Sequence, residues 1–338
     1  MIRRYLIIQT AFLGDTILTE PIVETIKEND PEAFLSVLII PANRDVFTLN
    51  SKVDSIITYD KHGSDNGIMG LSRIIKSVRA FKFDVVISPH LSFRSSLISL
   101  LSGSPMRIGF HEADISFVYT HRVRKEKKLH ERDRLLKLVE PLGFDKIVKD
   151  IKLYYSEDNR KFIEGVFEAY SVNRNSKLVG INPSSVWPTK RWPKKYYREV
   201  AKRLTDEGAT VILFGTQKDL ERAEYIKNNN DKIINLAGKT TIKDMFYAIS
   251  RLDLLITNDS APVHIASAYN IPTIDIYGPT VPEFGFYPLS DKHRIVEINN
   301  LECRPCGKHG SVSCHKKHFR CMLDIKPQMV IDAAFELL

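Results

Sequence analysis

The chain has 338 residues, more than one ordinary hydrophobic core supports, so we expect two domains. Hydrophobic residues make up 43% of it and charged residues 27%, as in soluble globular proteins, and no apolar run approaches the roughly 20 residues of a membrane span. The formal net charge of +8 predicts an anionic partner, for which nucleic acid, an acidic membrane surface, a nucleotide sugar and a phosphorylated glycolipid all qualify.

The N-terminus places basic residues before an apolar run, as a signal peptide does, but the run ends at Gln9 and is too short. We therefore predict a first buried strand and a cytoplasmic location. The next segment contains Gly14, which permits a sharp turn, and Asp15, which we place at a helix N-terminus. Asp15 would serve there either as a structural cap or as a base that takes a proton from a hydroxyl group.

The first half of the chain alternates strand and helix patterns, which favours a doubly wound parallel sheet. The predicted strands are Tyr5–Gln9, Phe34–Ile40, Ser55–Tyr59, Phe83–Ser88 and Arg107–Phe110. The predicted helices are Ile68–Phe81, Leu91–Leu101, Leu129–Leu142 and Asp158–Tyr170. Residues 122–137 are rich in basic side chains with acidic ones interleaved, a pattern typical of a solvated surface.

The polar segment 171–177 lacks any period and is the best linker candidate. After it the alternation restarts, with strands predicted at Leu178–Asn182, Thr210–Phe214, Ile233–Leu236, Leu252–Thr257, Thr273–Tyr277 and Arg294–Ile298. Helices are predicted at Lys194–Glu207, Asp219–Asn228, Ile242–Arg251, Ala261–Tyr269 and, with an apolar stripe, Pro327–Leu338. We expect two Rossmann-like halves that face each other, with the ligand in the crevice at the carboxyl ends of their strands.

The segment Gly180–Pro193 ends a strand in small residues and then crowds both tryptophans, a lysine and an arginine into a short loop. Packing alone seldom requires that mixture. Lys190 suits a phosphate group as a compact charge, and the hydroxyl groups of Ser184 and Ser185 would complete an anion site. The alternative is a rigid Trp-Pro corner with solvated basic residues.

The segment 252–266 indicates a strand, a tight turn and a helix. We expect Ser260 to cap the helix and Pro262 to occupy its first turn. Free backbone N–H groups at a helix N-terminus, together with the helix dipole, favour an anion such as a diphosphate. An ordinary strand–helix junction is the alternative.

Several motifs are absent from the sequence. There is no Gly-x-Gly-x-x-Gly after a strand, which removes the main support for a nicotinamide dehydrogenase, and there is no P-loop, His-Glu-x-x-His or Gly-x-Ser-x-Gly. There is also no Asp-x-Asp pair, the usual carboxylate grip on a divalent metal that carries a diphosphate. Charge on a leaving nucleotide would then be neutralised by Lys190 and helix dipoles.

Short motifs recur in order along nearly the whole chain: Gly14-Asp15, Arg107-Ile108-Gly109-Phe110, Asn182-Pro183, Lys190-x-Trp192-Pro193, Asp259-Ser260-Ala261-Pro262-Val263-His264, Tyr277-Gly278-Pro279-Thr280, and Cys303-x-x-Cys306 with Cys314 and Cys321-Met322. In this order they resemble the lipopolysaccharide heptosyltransferases of glycosyltransferase family 9, in particular their heptosyltransferase II type. In one departure, Ala261 and Pro262 follow Ser260, where the family usually has a glycine.

The resemblance implies an α/β fold of the GT-B type, with an acceptor domain at 1–172, a donor domain at 177–325 and a helix at 326–338 that packs back on the first domain. It implies inverting transfer of heptose from ADP-L-glycero-D-manno-heptose to the anionic inner core of lipopolysaccharide, without a metal or other cofactor. It also implies peripheral contact with the cytoplasmic face of the inner membrane.

The resemblance further implies roles for individual residues. Asp15 would be the general base, and Lys190 would stabilise the departing diphosphate. The implied donor residues are Asn182, Ser184, Ser185, Lys190, Gly215, Asp219, Asp259, Ser260, Ala261, His264 and Thr280, with Asp219 on the ribose and Glu221 as its substitute. The implied acceptor residues are Thr10, Gly14, Arg94, Arg107 and Arg122.

Four cysteines lie close together near the C-terminus. Cys303 and Cys306 have the spacing of a zinc-ligand pair, and Cys314 and Cys321 follow more widely spaced, with three histidines among them. Structural zinc and free thiols are both open, and disulfides are disfavoured in a reducing compartment.

Two other functions are also open. A transferase that uses another nucleotide sugar, or a protein or capsular acceptor, would share the fold because donor identity depends on a few pocket contacts. A nucleic-acid-binding protein is suggested by the charge and the cysteine cluster. However, the basic run lacks interleaved aromatic residues and no recognition module is present, so we expect no nucleic acid partner.

Overall fold

The computed structural model describes residues 2–173 and 176–338. Within them the chain divides into two compact units, the first ending at Tyr154 and the second beginning at Tyr155. The boundary therefore lies earlier than the predicted one at residue 172. The predicted linker, 171–177, includes Arg174 and Asn175, which lie outside the described residues.

The first unit contains six strands: β1 Arg4–Gln9, β2 Phe34–Ile39, β3 Ser55–Thr58, β4 Val85–Ser88, β5 Met106–Phe110 and β6 His121–Val123. They form a parallel sheet in the order β3-β2-β1-β4-β5-β6. Its helices are α1 Leu13–Asn29, α2 Gly67–Ala80, α3 Phe93–Leu101 and α4 Glu131–Leu136. The predicted β1 to β5 are confirmed. The sequence does not predict β6 because this short edge strand is mostly exposed and carries no apolar pattern.

The second unit also contains six strands: β7 Leu178–Asn182, β8 Thr210–Leu213, β9 Ile233–Asn235, β10 Leu254–Asn258, β11 Thr273–Tyr277 and β12 His293–Glu297. They form a parallel sheet in the order β12-β11-β10-β7-β8-β9. Its helices are α5 Glu157–Ala169, α6 Lys194–Asp206, α7 Leu220–Lys227, α8 Ile242–Ser250, α9 Pro262–Ala268, α10 Arg320–Leu323 and α11 Pro327–Leu337. Both sheets thus have the strand order of a Rossmann fold.

The final helix, α11, completes the core of the second unit. Val330, Ile331 and Ala334 are buried in one apolar cluster with Val200 and Leu204 of α6. The helix also contacts β11 and β12. Most of its apolar stripe is thus covered within its own unit, and its packing on the first domain stays a prediction.

Helix α5 belongs to the second unit as well, although we predicted it within the first domain. It packs on α8, and Nδ2 of Asn159 donates a hydrogen bond of 2.7 Å to Oδ1 of Asp244 in the first turn of α8. This helix–helix contact places the boundary before α5.

The order of the strands indicates where each unit would bind a ligand. The connections of each sheet reverse direction between two neighbouring strands, β1 and β4 in the first unit and β7 and β10 in the second. Open parallel sheets bind ligands beyond the carboxyl ends of the strands at such a point. Thr10 and Asp259 lie directly after two of these strands. Among the described residues, no helix combines the length and the apolar character needed to cross a bilayer.

Candidate functional site

An ion pair lies beyond the carboxyl ends of β7 and β10. Nζ of Lys190 is 2.5 Å from Oδ2 of Asp259, and the two side chains are only 13% and 10% exposed. Oγ1 of Thr280, which follows β11, donates a hydrogen bond of 2.6 Å to the same carboxylate oxygen. The second unit thus brings three of the predicted donor residues into one cluster.

The turn after β10 is attached to the loop after β7. Nδ2 of Asn182 donates to the carbonyl oxygen of Ser184 at 3.0 Å and lies 3.5 Å from Oγ of Ser260. Oδ1 of Asn258 accepts a hydrogen bond of 2.9 Å from the backbone N–H of Trp192, and its Nδ2 donates to Ser184 at 3.3 Å. Asn258 was not among the predicted site residues. Its role could have been inferred only from its position at the end of β10, one of the two strands between which the connections reverse direction.

Ser260 does not cap α9 with its side chain, contrary to the prediction. Its hydroxyl group donates instead to the carbonyl oxygen of Asn258 at 3.0 Å, and the helix begins at Pro262 without a side-chain cap. The first N–H groups of a helix have no partner within it, so the turn at Ser260 and Ala261 still offers donors to an anion. His264 is buried, with its ring centre 6.2 Å from that of Phe286.

The tryptophan loop combines a structural half with an exposed half. Trp192 is fully buried and its indole N–H donates to the carbonyl oxygen of Ile325 at 3.0 Å, as expected for a rigid corner. Nε of Arg191 holds the carbonyl oxygen of Ser185 at 2.7 Å. The corner therefore fixes the backbone on both sides of Lys190, whose ammonium group pairs with Asp259.

Asp219, the predicted ribose ligand, closes the turn before α7. Its Oδ2 accepts hydrogen bonds from the backbone N–H and the hydroxyl group of Thr216, at 2.9 and 2.7 Å. Burial favours a higher pKa for Asp219, but the hydroxyl groups of Ser184 and Thr216 beside it hold the pKa below its usual value. A Cβ atom on Gly215 would lie 2.9 Å from that of Asp219, so this close approach requires glycine. Glu221, by contrast, is 95% exposed.

In the first unit, Asp15 lies in the first turn of α1, just beyond β1. Burial and, to a smaller extent, the carboxylate of Glu131 raise the pKa of Asp15 to about 6, although the ammonium group of Lys125 opposes them. Asp15 is therefore a stronger base than an ordinary aspartate and is still ionised at neutral pH. Gly14 does not form the predicted sharp turn, because it lies inside the same helical turn.

Thr10 joins polar groups that the sequence analysis missed. Its Oγ1 lies 2.9 Å from Nδ1 of His90 and 3.3 Å from Oγ of Ser95, and Nζ of Lys61 donates to its carbonyl oxygen at 2.7 Å. Burial, together with the charge of Lys61, lowers the pKa of His90 to about 4, so its imidazole is neutral at pH 7. The signal for His90 is its position after β4, at the switch point of the first sheet.

The three arginines predicted to bind the acceptor differ in their surroundings. Arg107 donates hydrogen bonds to the carbonyl oxygens of Val118 and Ser104, at 2.9 and 2.6 Å, and so holds its own loop. Arg94 lies within 3.4 Å of the carbonyl oxygen of Lys61, and Arg122 is exposed on β6. Two of the hydrogen bonds of Arg107 are therefore made within the first unit, and its role in acceptor binding stays a prediction.

The four cysteines are free thiols. Cys321 is buried, which raises the pKa of its thiol to about 12. Cys306, in contrast, is exposed to solvent. Across residues 2–173 and 176–338, which include all four, no three His, Cys, Asp or Glu side chains are arranged to hold a metal ion.

Comparison with known proteins gives a consistent result. Residues 71–317 match the model of glycosyltransferase family 9 (heptosyltransferase). The chain is 26% identical over 351 residues to lipopolysaccharide heptosyltransferase 2 of Escherichia coli strain K12, a match that covers 99% of this chain and 98% of the relative. It is 29% identical over 337 residues to lipooligosaccharide heptosyltransferase 2 of Campylobacter jejuni NCTC 11168, covering 97% and 96%.

Two solved structures share the whole architecture. One is a glycosyltransferase of family 9 from Veillonella parvula, with a TM-score of 0.88, 26% identity and coverage of 99% of this chain and 97% of that one. The other is the ADP-heptose lipopolysaccharide heptosyltransferase II of E. coli, with a TM-score of 0.78, 25% identity and coverage of 99% and 98%. The predicted α/β fold of the GT-B type is thereby confirmed. The chain is a glycosyltransferase and belongs to glycosyltransferase family 9, the heptosyltransferase family.

Proposed function

We propose that this enzyme transfers heptose from ADP-heptose to the inner core of lipopolysaccharide, with inversion at the transferred carbon and without a metal. The names of its relatives support this donor and this acceptor. The observation that carries the proposal is the cluster of Lys190, Asp259 and Thr280 at the switch point of the second sheet, where a cation, a carboxylate and a hydroxyl group suit a sugar diphosphate.

We assign the donor to the second unit. The ammonium group of Lys190 meets the diphosphate, and the N–H groups at Ser260 and Ala261 add donors, so that the leaving group is stabilised by fixed positive charge. Asp259 accepts hydrogen bonds from heptose hydroxyl groups, and Asp219 from the ribose. The remaining donor residues of this proposal are Asn182, Ser184, Ser185, Gly215, His264 and Thr280.

We assign the proton transfer to Asp15. The acceptor hydroxyl group attacks the anomeric carbon on the face opposite the diphosphate, and its proton passes to the carboxylate of Asp15. The bond between the anomeric carbon and the diphosphate oxygen breaks, and ADP leaves with the bonding electrons. A pKa of about 6 suits this role, because the group is ionised at neutral pH and binds a proton more strongly than an ordinary aspartate.

We assign the acceptor to the first unit, whose binding residues in this proposal are Thr10, Gly14, Arg94, Arg107 and Arg122. Arg124, Lys127 and Lys128 are exposed next to β6. These cations suit anionic lipid A and the acidic core sugars, and they support peripheral contact with the cytoplasmic face of the inner membrane.

The test is incubation of the purified enzyme with ADP-heptose and a heptose-deficient core acceptor, followed by mass spectrometry of the acceptor and measurement of released ADP. We expect one heptose per acceptor and an equal amount of ADP. Lys190→Met should lower the rate by about 100-fold or more, whereas Lys202→Met, at an exposed lysine of α6, should not change it.

Other outcomes separate the alternatives. Transfer from a different nucleotide sugar, or to a protein or capsular acceptor, would replace the donor or acceptor named here. The assignment fails if no sugar moves from any nucleotide donor.

A further inference from the structure

The segment Cys303–Ser311, which we call the clamp segment, contacts the Lys190–Asp259–Thr280 cluster on two sides. On one side, the backbone N–H of Cys306 donates to the carbonyl oxygen of Pro279 at 2.8 Å. On the other, Ser311 and Thr189 exchange hydrogen bonds: the N–H of Ser311 donates to Oγ1 of Thr189 at 2.7 Å, and the N–H of Thr189 donates to the carbonyl oxygen of Ser311 at 3.1 Å. The clamp segment therefore links the strand ends that carry the cluster.

Arg304 is the buried cation of the clamp segment. Its side chain is only 5% exposed and pairs with Glu297 at 2.6 Å. The same guanidinium donates to the carbonyl oxygens of Thr280 and Ile298, at 2.7 and 2.5 Å. Burying a charge is costly unless it is paired and hydrogen-bonded, and a planar guanidinium can fix several acceptors at once. The proposed reaction gives Arg304 no role, so its position calls for another explanation.

Thr280 connects Arg304 to the donor cluster. The whole residue is only 1% exposed. Arg304 donates to its backbone carbonyl oxygen, and its hydroxyl group donates to Oδ2 of Asp259 at 2.6 Å. That same oxygen accepts from Lys190. A displacement of the Thr280 backbone would therefore displace the carboxylate of Asp259 and, with it, the ammonium group of Lys190.

The other side of the clamp segment supports the stem of Lys190. A Cβ atom on Gly310 would lie 2.5 Å from Cβ of Trp187 and 3.0 Å from Cγ of Lys190, so the backbone at Gly310 packs closely against both. The clamp segment thus restrains Lys190 at its stem and, through Thr280 and Asp259, at its charged end.

We propose that Arg304 is a positioning residue of the donor site, which fixes Asp259 and Lys190 through Thr280 without touching the donor itself. The proposal takes its donor from the proposed function, but the chain of contacts from Arg304 to Lys190 does not depend on that donor. It predicts that Arg304 and Thr280 act as one unit on the pair of Lys190 and Asp259.

The first measurement is independent of any donor. The full-length protein is treated with an amine-acylating reagent, and the labelling rate of Lys190 is read by mass spectrometry. Because Lys190 is paired and only 13% exposed, it should react slowly in the wild type. We expect Arg304→Lys and Thr280→Val each to accelerate its labelling several-fold, and Thr280→Ser, which keeps the hydroxyl group, to restore the slow rate.

The second measurement is the Kd of ADP by titration calorimetry. Arg304→Lys and Thr280→Val should each raise the Kd about tenfold, as expected for one lost charge-assisted hydrogen bond. The Kd of the double variant should not exceed the higher of the two single-variant values, because both changes break the same chain of contacts. Arg294→Lys is the matched control, because Arg294 also pairs with a carboxylate, Glu336 at 2.9 Å, but on the exposed side of β12. It should leave both the labelling of Lys190 and the Kd unchanged.

These measurements separate the two proposals. If Arg304→Lys folds, as judged by circular dichroism, but labels and binds like the wild type, the positioning role is wrong. The positioning role is also wrong if the Kd of the double variant rises by the product of the two single effects. Independent effects of this kind are those of a merely structural residue, which would lower the melting temperature without coupling to Thr280. If the wild type binds no ADP while the labelling responds as expected, the donor is wrong and the positioning role stands.

Discussion

Asp15 has the environment of a base that works near neutral pH. Burial and the neighbouring Glu131 raise its pKa to about 6, and a general base acts only when it has lost its proton. We therefore expect kcat/KM to be constant at neutral pH and to fall as the pH drops below about 6, because the protonated fraction of Asp15 then grows. The measurement is the initial rate as a function of pH at low acceptor concentration.

Asp15→Asn provides the complementary test of the base. The amide keeps the size of the side chain but cannot accept the proton, so kcat should fall by about 10²–10⁴-fold and the acid limb of the profile should disappear. Asp145→Asn, at an exposed aspartate of the same unit, is the control and should behave as wild type. An Asp15→Asn enzyme with an unaltered acid limb would show that another group is the base.

Asp275 on β11 is the opposite kind of carboxyl group. It is fully buried, and within the described part of the chain neither of its carboxyl oxygens has a hydrogen-bond partner. Burial raises its pKa well above the usual range, and the carboxylate of Asp259 raises it further, while Lys190 opposes them. The folded protein thus favours the protonated form of this group, and unfolding at neutral pH favours the release of its proton. The folded protein is therefore most favoured below the unfolded pKa of Asp275, about 4, and this group lowers the free energy of unfolding as the pH rises above that value.

We expect Asp275→Val to raise the free energy of unfolding of the second unit by about 1–3 kcal/mol at pH 7, because it removes an unsatisfied buried polar group from a strand. The gain should shrink toward pH 4, where only about half of the unfolded carboxyl groups ionise. Urea denaturation at both pH values, followed by tryptophan fluorescence, measures it, since Trp187 and Trp192 both lie in this unit. Asp275→Asn is the control that removes only the ionisation. A variant less stable than wild type at pH 7 would contradict the argument.

At the scale of the elements, α5 and α8 are joined through their N-terminal caps. The side chain of Asn159 closes a capping box with Ser156, and that of Asp244 closes one with Thr241. Nδ2 of Asn159 also donates to the free oxygen of Asp244 at 2.7 Å. Each side chain therefore satisfies backbone groups of its own helix and fixes the neighbouring helix as well.

Replacing either residue by alanine should lower the free energy of unfolding by about 1–2 kcal/mol, because a cap and a part-buried hydrogen bond are lost together. The double variant Asn159→Ala/Asp244→Ala should lose less than the sum, since both changes remove the same contact. Asp158→Ala, at the exposed neighbour in the same turn, should cost only a few tenths of a kcal/mol. Strict additivity of the two changes in urea denaturation would mean that the contact between the helices contributes nothing.

The same contact shows what a sequence can and cannot predict here. The central strands of both sheets were predictable because they are buried on both faces and form nearly continuous apolar runs, whereas the exposed edge strand β6 was not. The domain boundary was not, because it depends on the packing of α5 on α8, which are distant in the chain. The turn at Asp259 could likewise be predicted, because a local strand–turn–helix pattern marks it. The position of Arg304 could not, because it lies in a segment without a period and contacts Thr280 only through the tertiary fold.

At the scale of the whole molecule, the chain repeats one strand order twice and builds a different kind of site on each copy. The second unit places a fixed cation, Lys190, at its switch point, whereas the first places Asp15 and the neutral His90 there. In the proposed function, the first unit would supply a base and neutral hydrogen-bonding groups, and the second a cation for the leaving group. This division of groups suits group transfer between two substrates, with each substrate assigned to one unit.

The net charge of +8 leads to a prediction about membranes. Lys127 and Lys128 are adjacent and exposed in the first unit, and each basic residue near an anionic surface contributes about 1 kcal/mol of binding energy. We expect binding to phosphatidylglycerol vesicles in sedimentation assays, little binding to phosphatidylcholine vesicles, and loss of binding at high salt because the charges are then screened.

Lys127→Glu/Lys128→Glu should weaken binding by at least tenfold. The matched pair Lys316→Glu/Lys317→Glu, exposed in the second unit, should weaken it much less. Equal losses for the two pairs would show that net charge, rather than a surface of the first unit, governs the contact.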